Sequence, residues 1–177
     1  HEFYAMIPLN LITNSTMLYA SRHERGFTLI ELLIVIAIIA IIAAGVFVAL
    51  DPAQRFQEAR DSQRWSDVNA VLNAVKTDQV DNGGSYVASV AALTDGNYYI
   101  IGTDVVGCNA GCTAQVTQAA CVDLTALVTE GYLGSVPTDP SGGTAAKTDY
   151  YLMKSATDII EAGACDPEAA ATITVSR

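Results

Sequence analysis

The strongest pattern in the chain is a long apolar stretch over residues 27–50. It contains one ionisable side chain, Glu31, and from Leu32 onward it is uninterrupted apolar sequence. As an α-helix this stretch would be ~36 Å long, enough to cross the ~30 Å hydrocarbon core of a bilayer. Because a helix satisfies its backbone polar groups internally, residues 27–50 are predicted to form a membrane-spanning helix.

The pattern changes at Asp51-Pro52 and becomes amphipathic. Asp is a good N-cap and Pro a good first helical residue, so a kink or short break is predicted here. Residues 51–82 are predicted to continue the helix and to end at Asn82-Gly83-Gly84. The predicted apolar stripe consists of Trp65, Val68, Leu72 and Val75, followed by Gln79. The remaining face carries the i,i+3 charge pairs Arg55–Glu58, Asp61–Arg64 and Arg64–Asp67.

Residues 83–177 show short patterns separated by turn residues. Two short helices are predicted at 87–94 and 123–130. Strands are predicted at 98–101, 150–154, 158–162 and 172–176. The predicted fold class is therefore α+β, with a long N-terminal helix and a small antiparallel β-sheet in a globular head. The apolar half of the helix is transmembrane, and the amphipathic half packs on the head.

Charge is distributed unevenly along the chain. The formal net charge is −10, and beyond Gly83 there are ten Asp and Glu residues against three Lys and Arg. No Lys or Arg occurs between residues 77 and 146. Such an acidic head lacks the cationic contacts that dominate nucleic-acid binding, so no nucleic-acid partner is expected.

The four cysteines, Cys108, Cys112, Cys121 and Cys165, all follow the apolar stretch. An even number in an exported domain favours two disulfides, for which three connectivities are possible. Two alternatives stay open at this point. One is reduced thiols in a cytosolic protein, and the other is a zinc site of four thiolates, whose spacing fits loosely at 108–112.

Basic residues precede the apolar stretch. Arg22 and Arg25 are expected to keep the preceding residues on the cytoplasmic side of a membrane. Residues 1–26 are predicted to be a leader peptide. Met17 is a candidate true start, which gives a leader of ten residues.

The junction between leader and helix reads Arg25-Gly26-Phe27-Thr28-Leu29-Ile30-Glu31-Leu32. It resembles the processing and assembly motif of type IV pilins and of the pseudopilins of type II secretion. The resemblance implies that a prepilin peptidase cleaves between Gly26 and Phe27 and methylates the new Phe27 amine. It also implies that Glu31, the fifth residue of the mature chain, acts in subunit assembly.

A second resemblance lies at 127–140, which ends in Pro137-Thr138-Asp139-Pro140. It is similar to the short helix and Pro-x-Asp-Pro passage of major pseudopilins. Those proteins often bind calcium in the loop that follows, so Asp139 and Asp149 are candidate calcium ligands. The alternative is a solvated turn, and no other cofactor is expected.

The resemblance implies a structural subunit with a pilin fold. Its expected partners are further copies of itself in a helical filament, the prepilin peptidase, an inner-membrane platform protein, an assembly ATPase and, before assembly, the lipid bilayer. The precursor is expected to span the inner membrane once with an extracytoplasmic head, and the mature chain to join an extracellular or periplasmic filament.

Two other functions stay open. The first is a major pseudopilin of a type II secretion system, and the second is a single-pass membrane-anchored binding or sensor domain. An enzyme is not expected, because the chain has no G-x-S-x-G, P-loop or H-E-x-x-H motif. Its two histidines, His1 and His23, also precede the predicted cleavage site.

Overall fold

The structure is a computed structural model that describes residues 26–177. It divides into two units, with the boundary between Val46 and Phe47. Apart from Gly26, the predicted leader lies outside the described residues, and with it Met17, Arg22 and Arg25.

The first helix, α1, spans Leu29–Leu50 and is exposed along its whole length. Within residues 26–177, the helical run that begins at Leu29 is the one stretch long and apolar enough to cross a membrane, judged by length and composition. The predicted apolar helix is confirmed.

The second helix, α2, spans Pro52–Asp81 and is separated from α1 by Asp51. Asp51 has a left-handed backbone, with φ at 35°, and its Oδ1 accepts a hydrogen bond of 3.4 Å from the Gln54 amide. Pro52 occupies the first helical turn, where an N–H would have no intrahelical partner. The predicted break is therefore confirmed, and α2 ends at Asn82-Gly83-Gly84 as predicted.

The head contains a four-stranded antiparallel sheet in the order β1-β2-β3-β4. Its strands are β1 Tyr98–Ile100, β2 Tyr150–Lys154, β3 Ile160–Ala164 and β4 Thr174–Ser176. Two short helices, α3 Ala88–Ala91 and α4 Thr125–Thr129, lie between α2 and β2 in the chain. One register line crosses the whole sheet, because Tyr99 pairs with Leu152, Leu152 with Ala162 and Ala162 with Val175. The architecture is α+β, as predicted.

One face of the sheet packs against α2, which contacts β3 and β4. Val68, Leu72 and Val75 of α2 join Leu152 and Ile160 of the sheet in the main core. The opposite face carries a smaller core of Ile100, Tyr151, Cys108 and Cys165. Tyr150 and Tyr151 belong to different cores, because successive strand residues point to opposite faces.

The predicted surface of α2 is wrong at three residues, one of which is Asp61, expected on the charged face but buried. Trp65 was expected in the apolar stripe, but it is 39% exposed. Arg64 was expected on the solvent face, but it is fully buried. Its predicted pair with Asp61 forms at 2.7 Å, whereas no Arg64–Asp67 ion pair forms within residues 26–177. Asp67 instead accepts a hydrogen bond of 2.8 Å from the Tyr150 hydroxyl.

Candidate functional site

The predicted cleavage junction lies immediately before α1. Gly26 and Phe27 are both exposed, and the Phe27 side chain is 83% exposed. Apart from the neighbours of Gly26 in the chain, a Cβ added there would meet no atom of residues 26–177 within 4 Å. The fold itself therefore does not require glycine here, and a requirement for a small residue would have to come from a processing enzyme.

Glu31 lies in the first turn of α1 and forms a capping box with Thr28. The Thr28 hydroxyl accepts a hydrogen bond of 3.2 Å from the Glu31 amide. In return, Glu31 Oε2 accepts hydrogen bonds from the Thr28 amide at 2.9 Å and from the Thr28 hydroxyl at 2.7 Å. This reciprocal pattern satisfies backbone donors that the first helical turn leaves free. The Thr-x-x-Glu spacing is a known sequence signal for it, although the prediction above did not use that signal.

The capping box fixes the Glu31 carboxylate at the first turn of an otherwise apolar helix. A negative charge in that place complements the positive end of the helix dipole. The carboxylate can also accept hydrogen bonds from a cation, while the rest of α1 offers only apolar side chains. The segment can therefore do two things chemically: bind a cationic group at its start and bury apolar surface along its length.

The four cysteines form two disulfides in the head. Cys108 pairs with Cys121, and Cys112 pairs with Cys165. The prediction of two disulfides is confirmed, and the structure chooses one of the three connectivities that the sequence left open. A zinc site is not supported, because paired sulfurs are not thiolate ligands.

Asp139 and Asp149 do not form a calcium site in this structure. Asp139 is buried, and both of its oxygens accept hydrogen bonds from Arg64, at 2.6 Å from Nε and 2.9 Å from Nη2. Asp149 is half-buried; burial, together with the negative charges of Asp139 and Asp166, raises the pKa of its carboxyl.

Calcium takes about six to eight oxygen ligands. Residues 26–177 contain no cluster of three or more His, Cys, Asp or Glu side chains that could hold a metal ion. The donor set around Asp139 therefore does not fit calcium. The site residue that the sequence analysis missed is Arg64, although its position four residues before buried Val68 places it on the same side of α2.

Comparisons with known proteins address the N-terminal segment most directly. A family model described as "Prokaryotic N-terminal methylation motif" matches residues 21–47. A protein of Thermus thermophilus named "Type IV wide pilus major component PilA4" is 44% identical over 72 residues, which are 41% of this chain and 53% of that protein. The chain thus spans about half the length of this relative. No solved structure matches the chain. With its methylation motif and its apolar first helix, the chain is thus similar to proteins that carry the prokaryotic N-terminal methylation motif and, over 72 residues, to a type IV pilus component.

Proposed function

We propose that the chain is a structural subunit of a type IV pilus-like filament, polymerised through its N-terminal helix. The observation that carries this proposal is α1, a helix of 22 residues whose whole surface is exposed and apolar apart from Glu31. An apolar surface of this size must be covered by lipid or by protein. Lipid covers it in the precursor, and copies of the same helix cover it in the filament. Glycine and alanine near its C-terminal end allow such helices to approach closely.

Processing is proposed to occur between Gly26 and Phe27, followed by methylation of the Phe27 amine. The test is co-expression of the full chain with a prepilin peptidase and mass spectrometry of the product. We expect a mature chain that begins with N-methylated Phe27. Gly26→Leu should remain uncut, whereas Gly45→Leu, a matched change inside α1, should be cut normally. A product that begins after Leu32 would exclude this mechanism.

Glu31 is proposed to pair with the positive Phe27 amine of a neighbouring subunit during assembly. Its carboxylate lies only ~6 Å along the helix axis from the new N-terminus, so a stagger of about that size between neighbouring helices brings the two groups to the same depth. A carboxylate at membrane depth is costly and is therefore a functional candidate. The alternative is that Glu31 serves only as a partner of Thr28 in the capping box.

Two variants separate charge pairing from capping. Glutamine keeps the capping box, because its amide oxygen can still accept from Thr28, but it removes the charge. Under the pairing proposal, Glu31→Gln and Glu31→Val are both cleaved and inserted in the membrane, and both fail to enter filaments. The measurement is the filament yield from cells that express only the variant. Normal filaments from Glu31→Gln would show that capping suffices and that the charge pair is not needed.

The rest of the assembly pathway follows from the same proposal. The precursor crosses the inner membrane once, with Arg22 and Arg25 on the cytoplasmic side and the acidic head outside. A platform protein and an assembly ATPase then extract subunits into the filament. A membrane-anchored binding domain is less well supported, because it needs neither the Gly26-Phe27 junction nor Glu31.

A major pseudopilin is the second candidate, and the Pro137-Thr138-Asp139-Pro140 sequence favours it. The similarity to a protein named as a pilus component favours the first candidate. Deletion of the chain separates the two. Loss of surface filaments with normal protein secretion supports a pilin, and loss of secretion supports a pseudopilin.

A further inference from the structure

Arg64, in α2, is a charged side chain with no exposed surface. It reaches three segments that are far apart in the chain. Within α2, its Nη1 donates to Asp61 Oδ1 at 2.7 Å. Nε and Nη2 hold the two oxygens of Asp139, and Nη2 also donates to Ser141 Oγ and to Glu168 Oε1, each at 2.9 Å.

The carboxylates around Arg64 are satisfied by further donors. Asp61 accepts hydrogen bonds from the amides of Glu168, Ala169 and Ala170, at 3.0, 2.7 and 2.7 Å. Glu168 also forms an ion pair with Arg60. The turn at 139–141 and the segment 168–170 are therefore both attached to α2 through a single buried guanidinium and its partners.

We propose that the Arg64 guanidinium is the structural cation of this head, and that the head consequently folds without calcium. A guanidinium presents its N–H donors in a planar fork that matches a carboxylate, and here the fork occupies both oxygens of Asp139. A calcium ion at Asp139 would have to displace these hydrogen bonds. It would also place a second positive charge beside Arg64, whose guanidinium already binds the oxygens of Asp61, Asp139 and Glu168 that could coordinate the ion.

Removal of the guanidinium should be costly for a physical reason. Replacing a whole buried ion cluster by apolar residues can be neutral, but removing one partner leaves the others buried without compensation. Without Arg64, the buried carboxylates of Asp61 and Asp139 and the partly exposed carboxylate of Glu168 would face one another without the cation between them. The turn at 139–141 would then lose its side-chain attachment to α2, and the segment 168–170 would keep only its contacts with Asp61 and Arg60.

The test is thermal unfolding of the full chain in detergent with its disulfides intact, monitored by near-ultraviolet circular dichroism. For the wild-type chain we expect the same Tm in excess EGTA and in excess calcium chloride. For Arg64→Met we expect a Tm lower by roughly 10 °C. The matched control is Arg55→Met, which removes an exposed arginine of the same helix whose partner is Glu58, and it should shift the Tm by no more than about 2 °C.

Two further measurements keep the proposal open to refutation if Arg64→Met does not fold. Arg64→Lys keeps the charge but loses the fork, so its Tm should fall between those of the wild type and Arg64→Met. The wild-type comparison in EGTA and calcium depends on no variant. The proposal would be overturned if calcium raised the Tm of the wild type and Asp139→Asn abolished that rise. It would also be overturned if Arg64→Met had the same Tm as the wild type.

Discussion

Asp61 illustrates how a single carboxylate can be kept charged inside the head. Burial acts to raise the pKa of Asp61, but the amide N–H groups of Ala170, Glu168 and Ala169 and the Arg64 guanidinium more than offset it. The pKa of Asp61 in the folded head therefore lies below its ordinary value. A group with a lowered folded pKa contributes stability above its unfolded pKa and loses that contribution as the pH falls.

Asp61→Asn is expected to lower the free energy of unfolding at neutral pH by about 3 kcal/mol, because it breaks a buried ion pair. It should also flatten the fall in stability below about pH 4, where Asp61 of the unfolded chain takes up a proton more readily than Asp61 of the folded chain. Both effects are measurable by urea unfolding across a pH series. Glu130→Gln removes an exposed carboxylate and serves as the control. An unchanged pH dependence in Asp61→Asn would show that Asp61 titrates alike in the folded and unfolded chains.

The sequence predicted the contacts of some side chains and missed those of others. The missed contacts are mainly those whose partners lie far away along the chain. Of the three predicted pairs within one helical turn, Arg55–Glu58 and Asp61–Arg64 form, whereas Arg64–Asp67 does not, because both side chains bind partners from the head. The burial of Arg64 depends on Asp139 and Glu168, which approach α2 only through the fold of the head. No local pattern contains that information.

At the scale of elements, the end of α2 depends on backbone conformations that glycine adopts at no steric cost. Gly83 and Gly84 have φ values of 65° and 98°, and the Gly84 amide donates to the Gln79 carbonyl at 2.7 Å. A Cβ on either glycine would meet no atom within 4 Å. The constraint is therefore conformational rather than one of space.

Gly84→Ala is expected to destabilise the head by about 1–2 kcal/mol, because it forces an L-residue into the left-handed region. Gly134→Ala is the matched control: Gly134 is also surrounded by open space but lacks a positive φ. It should be neutral or stabilising by up to about 1 kcal/mol, through the lower entropy of the unfolded chain. Chemical denaturation measures the free energy of unfolding of both variants. Equal effects of the two substitutions would contradict the conformational explanation.

Elements were predicted more reliably than their boundaries. Strand β2 begins and ends where it was predicted, at Tyr150 and Lys154. Strand β3 was predicted at 158–162 but begins at Ile160. Asp158 adopts a φ of 60° and its amide donates to the Ser155 carbonyl at 3.0 Å, so it belongs to the turn between β2 and β3. A short polar turn and the start of a strand look alike in sequence.

At the scale of the whole molecule, the division into an apolar helix and an acidic head could be predicted from composition, whereas the disulfide pairing could not. The pairing follows from the fold. Cys165 comes directly after β3, and its carbonyl accepts a hydrogen bond of 3.0 Å from the Ala114 amide. Residues 112–114 are thereby held beside the end of β3, which brings Cys112 to Cys165 rather than to Cys108 or Cys121.

The Cys112–Cys165 bridge sets how far the chain can lengthen under mechanical load. It spans a sequence separation of 53 residues, which correspond to roughly 180 Å of extended contour length. When the full chain is stretched between its termini in an optical trap, this length should be released only in the presence of a reductant. Replacing Cys108 and Cys121 by serine should leave the extended length of the oxidised chain unchanged. The reason is that the force passes through the Cys112–Cys165 bridge and not through the residues of its loop. Replacing Cys112 and Cys165 by serine should release most of the contour length that this bridge encloses, without reductant. If that length is not released, the Cys112–Cys165 pairing is contradicted. In the proposed filament, a subunit under tension would therefore keep this part of its head from extending for as long as the bridge stays oxidised.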